Sequence, residues 1–292
     1  MSCLQTPRAA AGLALVAVLW IVAALSIMVT GLTYTVRQQI QVAGTVRDQT
    51  SGQAIGEGAV ALVLQDLLAR GERPTGAGSV QVSYGGAEVT VEAAPLNGWI
   101  SLNGAEQPLL AALLTVAGGL DAEPAQALAA RLIEWRDARP DVDPTAPGAA
   151  SAAQPRRFEA PEDLLLVPGV DYPLYARIAP LVSAERAGAN LVNPQAAPAE
   201  VLRVLARGDT ARVEQYLAQR ASNPGADTSG FDGALMGGGG ANLYRLRAKV
   251  PLETGKMLVL TSDVALGAVY SRAVPWTILR TDRQIVSAGN NG

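Results

Sequence analysis

The stretch Leu13-Ala-Leu-Val-Ala-Val-Leu-Trp-Ile-Val-Ala-Ala-Leu-Ser-Ile-Met-Val29 decides how the chain is read. It lies inside a longer run, from Ala9 to Val36, that holds no charged residue, with Arg8 before it and Arg37 after it. About 20 apolar residues of helix, rising 1.5 Å each, cross a bilayer, so this run predicts a membrane-spanning helix. Arg8 on the leading side predicts a cytoplasmic N-terminus, with the bulk of the chain on the far side. The competing reading is a cleaved secretory signal. Such a signal has an apolar core of about 7–15 residues and closes on a small-x-small site. The run here is longer and ends in no clean site of that kind. The helical pattern also continues past the run: Val36, Ile40, Ala43, Val46, Ile55, Ala59, Val63 and Leu67 recur near a 3.6-residue period. Gly44, Gly52, Gly56 and Gly58 weaken that pattern without ending it. Two readings are open, one helix of about 55 residues and 80 Å, or an anchor followed by a separate helix.

Beyond Arg70, Gly71–Gly78 reads as a turn-rich loop. Val80, Val82 and Tyr84 then alternate with polar residues, as do Ala87, Val89, Val91 and Ala93. Gly85-Gly86 between the two runs reads as a two-residue hairpin turn. The next alternation comes only at Tyr244–Val250, with further strands expected at Met257–Thr261 and Val269–Leu279. Pro275 would put part of the last at an edge or bulge. The segments between carry helical periodicity: Gln107–Val116, Glu123–Arg136, Pro161–Leu166, Pro173–Ala179, Pro198–Ala206 and Thr210–Ala221. A lone hairpin is marginal in water, so the early strands are expected to pair with the late ones. The expectation is an α+β chain in four parts: a leader at 1–12, a long helix at 13–70, a small sheet domain from 71–104 and 241–292, and a helical insertion at 105–240. The loops Pro140–Pro155 and Asn223–Gly240 are expected to be mobile.

Composition narrows the function. The chain has 292 residues, 49% apolar and 17% charged, with a net charge of −3. That excludes wholesale disorder and any overall pull onto nucleic acid. It contains no histidine and one cysteine, Cys3, so no Ser-His-Asp or Cys-His arrangement and no His-ligated zinc or haem site can be built. Lys249 and Lys256 are its two lysines, and a Ser-Lys nucleophile would have to use one of them. An ordinary active site is disfavoured.

Five segments carry a resemblance to a family. The first is a short leader ending at Gly12, ahead of Leu13–Trp20. The second is Gly98-Trp-Ile-Ser-Leu-Asn103. The third is Leu132-Ile-Glu-Trp-Arg-Asp137. The fourth is Phe158-Glu-Ala-Pro-Glu-Asp-Leu-Leu-Leu-Val-Pro-Gly169. The fifth is Leu191-Val-Asn-Pro-Gln-Ala-Ala-Pro-Ala-Glu-Val-Leu202. In this order they resemble the K-type minor pseudopilins of the type II secretion system (general secretion pathway protein K). The resemblance implies a pilin-like long helix and small antiparallel sheet, with a large all-α insertion containing helix-hairpin-helix-like units. It also implies a non-enzymatic subunit at the tip of a pseudopilus, helping to start its assembly and the export of folded proteins across the outer membrane. The implied partners are the I- and J-type minor pseudopilins, the major pseudopilin, prepilin peptidase and the inner membrane. Processing would follow Gly12, leaving Leu13 as an N-methylated start in a single-pass protein whose bulk is periplasmic. Pilin-like subunits mostly carry a glutamate at the fifth mature position, which here is Ala17. Its absence implies the topmost place in the filament. The family's acidic cluster with Gly-Ala-Glu and paired tyrosines is replaced here by Gly148-Ala149-Ala150.

Two sites remain with open alternatives. Asp137, Asp141 and Asp143 could share calcium, which takes six to eight oxygen ligands, and the family's pilin-like domains are associated with that ion; the alternative is a solvated acidic loop. Asp227 and Asp232 form a second, weaker pair. The turn at Pro168-Gly169 resembles a hairpin that binds DNA phosphates through backbone amides. Asp171 stands in the phosphate's way and only Arg177 and Arg186 are basic nearby, so a structural hairpin is the favoured reading and no nucleic-acid partner is expected. Trp99, Trp135 and Trp276 are expected in the core. A minor pilin of another type IV filament and a membrane-anchored DNA-uptake protein are the alternative functions.

Overall fold

A computed structural model of the chain describes residues 10–71, 73–138, 156–185, 190–223, 225–238, 242–267 and 275–287, without the side chains of 10–14, 27 and 29–43. Of the two readings of the N-terminal third, the structure shows one continuous helix, α1, at Ala10–Arg70. Its 61 residues span about 90 Å at 1.5 Å per residue. Among the described side chains of the first half, Leu15, Val16, Leu19, Trp20 and Leu25 are all more than half exposed. The second half buries Ala59, Val60, Val63 and Leu64.

What α1 covers is a five-stranded sheet of order β1-β2-β5-β6-β7, antiparallel throughout. The strands are β1 Gly78–Tyr84, β2 Ala87–Pro95, β5 Leu243–Pro251, β6 Lys256–Leu266 and β7 Trp276–Ser287. Gly85 and Gly86 join β1 to β2 with φ of 60° and 81°, which the primed hairpin turn requires and only glycine adopts freely. Inward residues of the strands, Val89, Val91, Tyr244, Leu246, Ala248, Val250, Leu258 and Leu260, close on α1. Two glycines let the helix approach. A Cβ on Gly52 would stand 2.6 Å from Leu252 Cδ2, and one on Gly56 would stand 3.3 Å from both Leu260 and Val250 side chains. Two of the glycines that cost helix propensity, Gly52 and Gly56, therefore lie on the packing face, while Gly44 faces open space. Asp48 fastens the helix to the β5–β6 turn by accepting from the Glu253 and Thr254 N–H groups at 3.1 and 3.4 Å.

The last strand departs from expectation. It was expected at Val269–Leu279 but runs from Trp276 to Ser287. Residues 269–274 lie outside the described residues, and the described strand begins after Pro275, which has no N–H to give a ladder. A register shift lies opposite Asp263/Val264, between Ile278 and Arg280 on the β7 side and not at Pro275.

Between β2 and β5 the chain leaves the sheet and builds a second body. It holds β3 Ile100–Ser101, α2 Gln107–Val116, α3 Ala122–Asp137, a 3-10 turn at Pro161–Leu166, α4 Tyr172–Ile178, β4 Val182–Ser183, α5 Ala199–Leu205 and α6 Thr210–Ser222. The two short strands pair in parallel, Ile100 with Val182 and Ser101 with Ser183. Its core is separate from that of the sheet and runs from Ile100 to Leu235. The segment Asn223–Gly240 was expected to be mobile, yet its described residues, 223 and 225–238, include buried Ala226, Phe231 and Leu235, and Phe231 meets Tyr216 edge-on at 4.9 Å. Its aromatic and aliphatic residues outweigh its glycines. Pro140–Pro155 lies outside the described residues.

Candidate functional site

Four of the five resembling segments, the second to the fifth, perform one physical task in this structure: they join loops to loops. In the second, Asn103 donates to the Ala184 carbonyl and, at 2.8 Å, to the Phe158 carbonyl, and accepts from the Phe158 N–H at 2.9 Å. One amide side chain thus closes three backbone groups that burial would otherwise leave unpaired. In the third, Arg136 donates to the Leu102 and Ala105 carbonyls at 3.1 and 2.9 Å. Trp135 stacks on Phe158, the first residue of the fourth segment, at 4.5 Å. In the fifth, Asn193 donates to the Thr75 carbonyl at 2.7 Å and so reaches the loop before β1. Gly98 is held by space alone, since a Cβ there would stand 2.4 Å from the Ala196 carbonyl carbon.

A small third cluster, Ala94, Leu96, Trp99, Leu243 and Ala265, lies where the two bodies meet. Trp99 is buried there, under the Arg245 guanidinium at 4.6 Å, and Arg245 pairs with the buried Asp263 at 2.7 Å on both oxygens. Arg280 of β7 grips Glu162 of the inserted body at 2.6 and 3.0 Å. That hydrogen bond is the main force holding the Glu162 carboxyl below its ordinary pKa. Burial, and after it the nearby Asp263, pushes the Glu185 carboxyl upward. Above the joint opens a cleft of about 440 Å³, walled by β1, β2 and β5 on one side and by α6 and the 196–198 loop before α5 on the other.

The predicted site residues separate in space. Gly12 and Leu13 lie near the start of α1, and Ala17 is an exposed position on it. Among the described residues no helix is long and apolar enough to cross a membrane; the described side chains of the apolar run are 15–26 and 28. Asp137 ends α3, exposed and 3.1 Å from Arg136, while Asp141 and Asp143 lie outside the described residues. The described residues hold no group of three metal-binding side chains. Asp227 and Asp232 are each occupied, the first with Ser229 and the second with Arg207 at 2.6 Å.

The Pro168-Gly169 turn is preceded by a 3-10 turn rather than an α-helix. Gly169 takes φ of 98°, and Asp171 caps α4 by accepting from the Leu174 N–H at 2.9 Å. The amide a phosphate would use is therefore taken by a carboxylate.

Sequence reasoning missed the joints themselves. Asn103, Arg136, Asn193 and Arg220 stood in view, but their partners are carbonyls on loops that no periodicity places. Arg220 donates from one nitrogen to the Pro194, Gln195 and Ala197 carbonyls at 2.9, 3.3 and 2.7 Å. Burial draws it below its usual pKa.

No protein-family model and no curated protein matches the sequence. Among solved structures, the chain is similar to a chain of the GspK-GspI-GspJ complex of the type 2 secretion system from enterotoxigenic Escherichia coli. The identity is 16% and the TM-score 0.48, over 85% of this chain and 98% of that one.

Proposed function

We propose that this protein is a K-type minor pseudopilin, a non-enzymatic subunit at the tip of a type II secretion pseudopilus. The observation that carries the reading is architectural. One unbroken helix leaves an apolar half bare and lays its other half on an antiparallel sheet, and a helical body is inserted between β2 and β5. The described apolar side chains of the first half, among them Leu15 and Trp20, each 73% exposed, pack on nothing among the described residues, which suits a lipid anchor before assembly and neighbouring helices after it. The helix would be held in the inner membrane, with the sheet and inserted body in the periplasm. Prepilin peptidase would cut after Gly12, and Leu13 would be methylated.

Ala17 supports the tip position on physical grounds. A carboxylate in lipid is costly unless paired, and the free amine of the subunit above is a suitable partner. A subunit with Ala17 needs nothing above it, while its own Leu13 amine can receive the subunit below. Calcium held by Asp137, Asp141 and Asp143 is part of the proposal, as are the I- and J-type minor pseudopilins and the major pseudopilin as partners.

The test is co-expression with I- and J-type pseudopilins and prepilin peptidase. The chain should co-purify with both, and its intact mass should lack residues 1–12. Cleavage near Thr30–Thr33 instead, or no association with either neighbour, would overturn the reading.

A further inference from the structure

The cleft above the joint has an unbalanced electrostatic lining. Arg220, Arg245 and Arg247 contribute to its walls against one carboxylate, Glu92. Arg245 is matched by Asp263 from behind, and Glu92 is shared between Lys249 and Arg247, the latter at a loose 3.7 Å. Counting Asp263 and Lys249 adds one charge of each sign, so two positive charges stay uncompensated. They are not idle surface charges. Arg220 is fixed by three carbonyls on one nitrogen, and Arg245 is clamped between Trp99 and Asp263. Arg247 is 46% exposed and keeps donors free toward the opening.

The remainder of the lining is chiefly alanine, with the larger apolar Trp99 and Leu217, beneath a guanidinium rim. The mouth also carries main-chain partners. Gly78 and Ser79 line it, and they begin β1, an edge strand whose outer side pairs with nothing among the described residues. An edge strand turns the N–H and C=O of every second residue outward, so one of these two presents both to an incoming chain. Strand β1 carries no charge or proline that would repel such a chain, whereas the opposite edge, β7, holds Arg280, Asp282 and Arg283.

We propose that this cleft binds an acidic, extended segment of a partner polypeptide. Its carboxylates would meet Arg247 and Arg220, its backbone would meet the β1 edge at Gly78–Ser79, and small side chains would fill the alanine floor. The inference does not depend on the tip position or on calcium.

The probe is a fluorescent Ala-Asp-Ala-Glu-Ala peptide titrated into the full-length protein in neutral detergent. It should bind, more weakly as salt screens the charges. Arg247→Ala should weaken binding about tenfold, the loss of one charge-assisted contact, and Arg247→Glu should weaken it further. Arg247 is half exposed and outside both cores, so unchanged circular dichroism is expected for both variants. The proposal is overturned if the peptide does not bind, if its Asn/Gln counterpart binds equally, or if Arg247→Ala leaves binding unchanged. Free glutarate binding as tightly as the peptide would overturn the polypeptide assignment.

Discussion

The sheet body and the inserted body are held together by different means. In the first, α1 and five strands present continuous aliphatic faces, and nearly every buried side chain lies on a regular element. In the second, helices of 7–16 residues are too short to order themselves, and the loops between them are fixed by single polar side chains. Asn103, Arg136 and Arg220 together satisfy eight backbone groups on those loops. The lesson is that a helical insertion can stay compact without long helices when its carbonyls are gathered by a few amides and guanidiniums. Such joints are also more brittle, because each partner removed leaves several groups unsatisfied at once.

The contrast can be broken at four places, in falling order of effect. Gly98→Ala should do the most, destabilising by about 4 kcal/mol, because its Cβ meets backbone rather than a yielding side chain. Thermal melting should show both bodies loosened together, since Gly98 lies at their junction. A melting temperature within a degree of the parent would show that the chain relaxes around it.

Leu64→Ala removes a fully buried side chain between α1 and the sheet and should cost about 3 kcal/mol. Hydrogen exchange should rise in β2, β5 and β6, while the near-ultraviolet signal of the Trp135–Phe158 stack stays. Loss of that signal would show that the two bodies melt as one.

Asn103→Leu should cost about 2–3 kcal/mol by stranding the Phe158 and Ala184 carbonyls. Here the expectation inverts, with the Trp135 signal lost and the sheet protected. An unchanged Trp135 spectrum would mean that the joint is dispensable.

Glu162→Gln tests the Arg280 clamp and should be smallest. The Glu162 side chain is 52% exposed, so screening holds the pair to less than about 1 kcal/mol. The carboxyl's folded pKa is depressed by Arg280. Its stabilisation is therefore present above the ordinary glutamate value and is lost as pH falls through the lowered one. Parent and variant should differ at neutral pH and converge in acid. A difference that grew on acidification would contradict the clamp.

How much was legible follows the same division. Alternation in Ala87–Ala93 and Tyr244–Val250 located two strands because one side of each is buried, and a period of two records that directly, whereas Val80–Tyr84 alternates in an edge strand where only Val82 packs on the core. Tyr244–Val250 read sharpest as buried against exposed. The last strand was misplaced because nothing local says how far β6 extends to meet it. Asn223–Gly240 read as a mobile loop because glycine content was weighed without the cavity that Phe231 and Leu235 fill. The acidic positions Asp141 and Asp143 lie outside the described residues.

The sequence by itself determined a helical N-terminal third, without deciding whether it is one helix or two, the hairpin at Gly85-Gly86, the split of the sheet by a helical block, and the exclusion of histidine chemistry. Each is a property of local residue order or composition, where period and turn chemistry act over a few neighbours. Only the tertiary structure decided that Gly52 and Gly56 face the strands, that Asn103 reaches Phe158 and Ala184, and that Arg220, Arg245 and Arg247 converge on one cleft. Those pairings join residues tens of positions apart, and the free energy that selects them comes from burying polar groups with their partners, which no local pattern records.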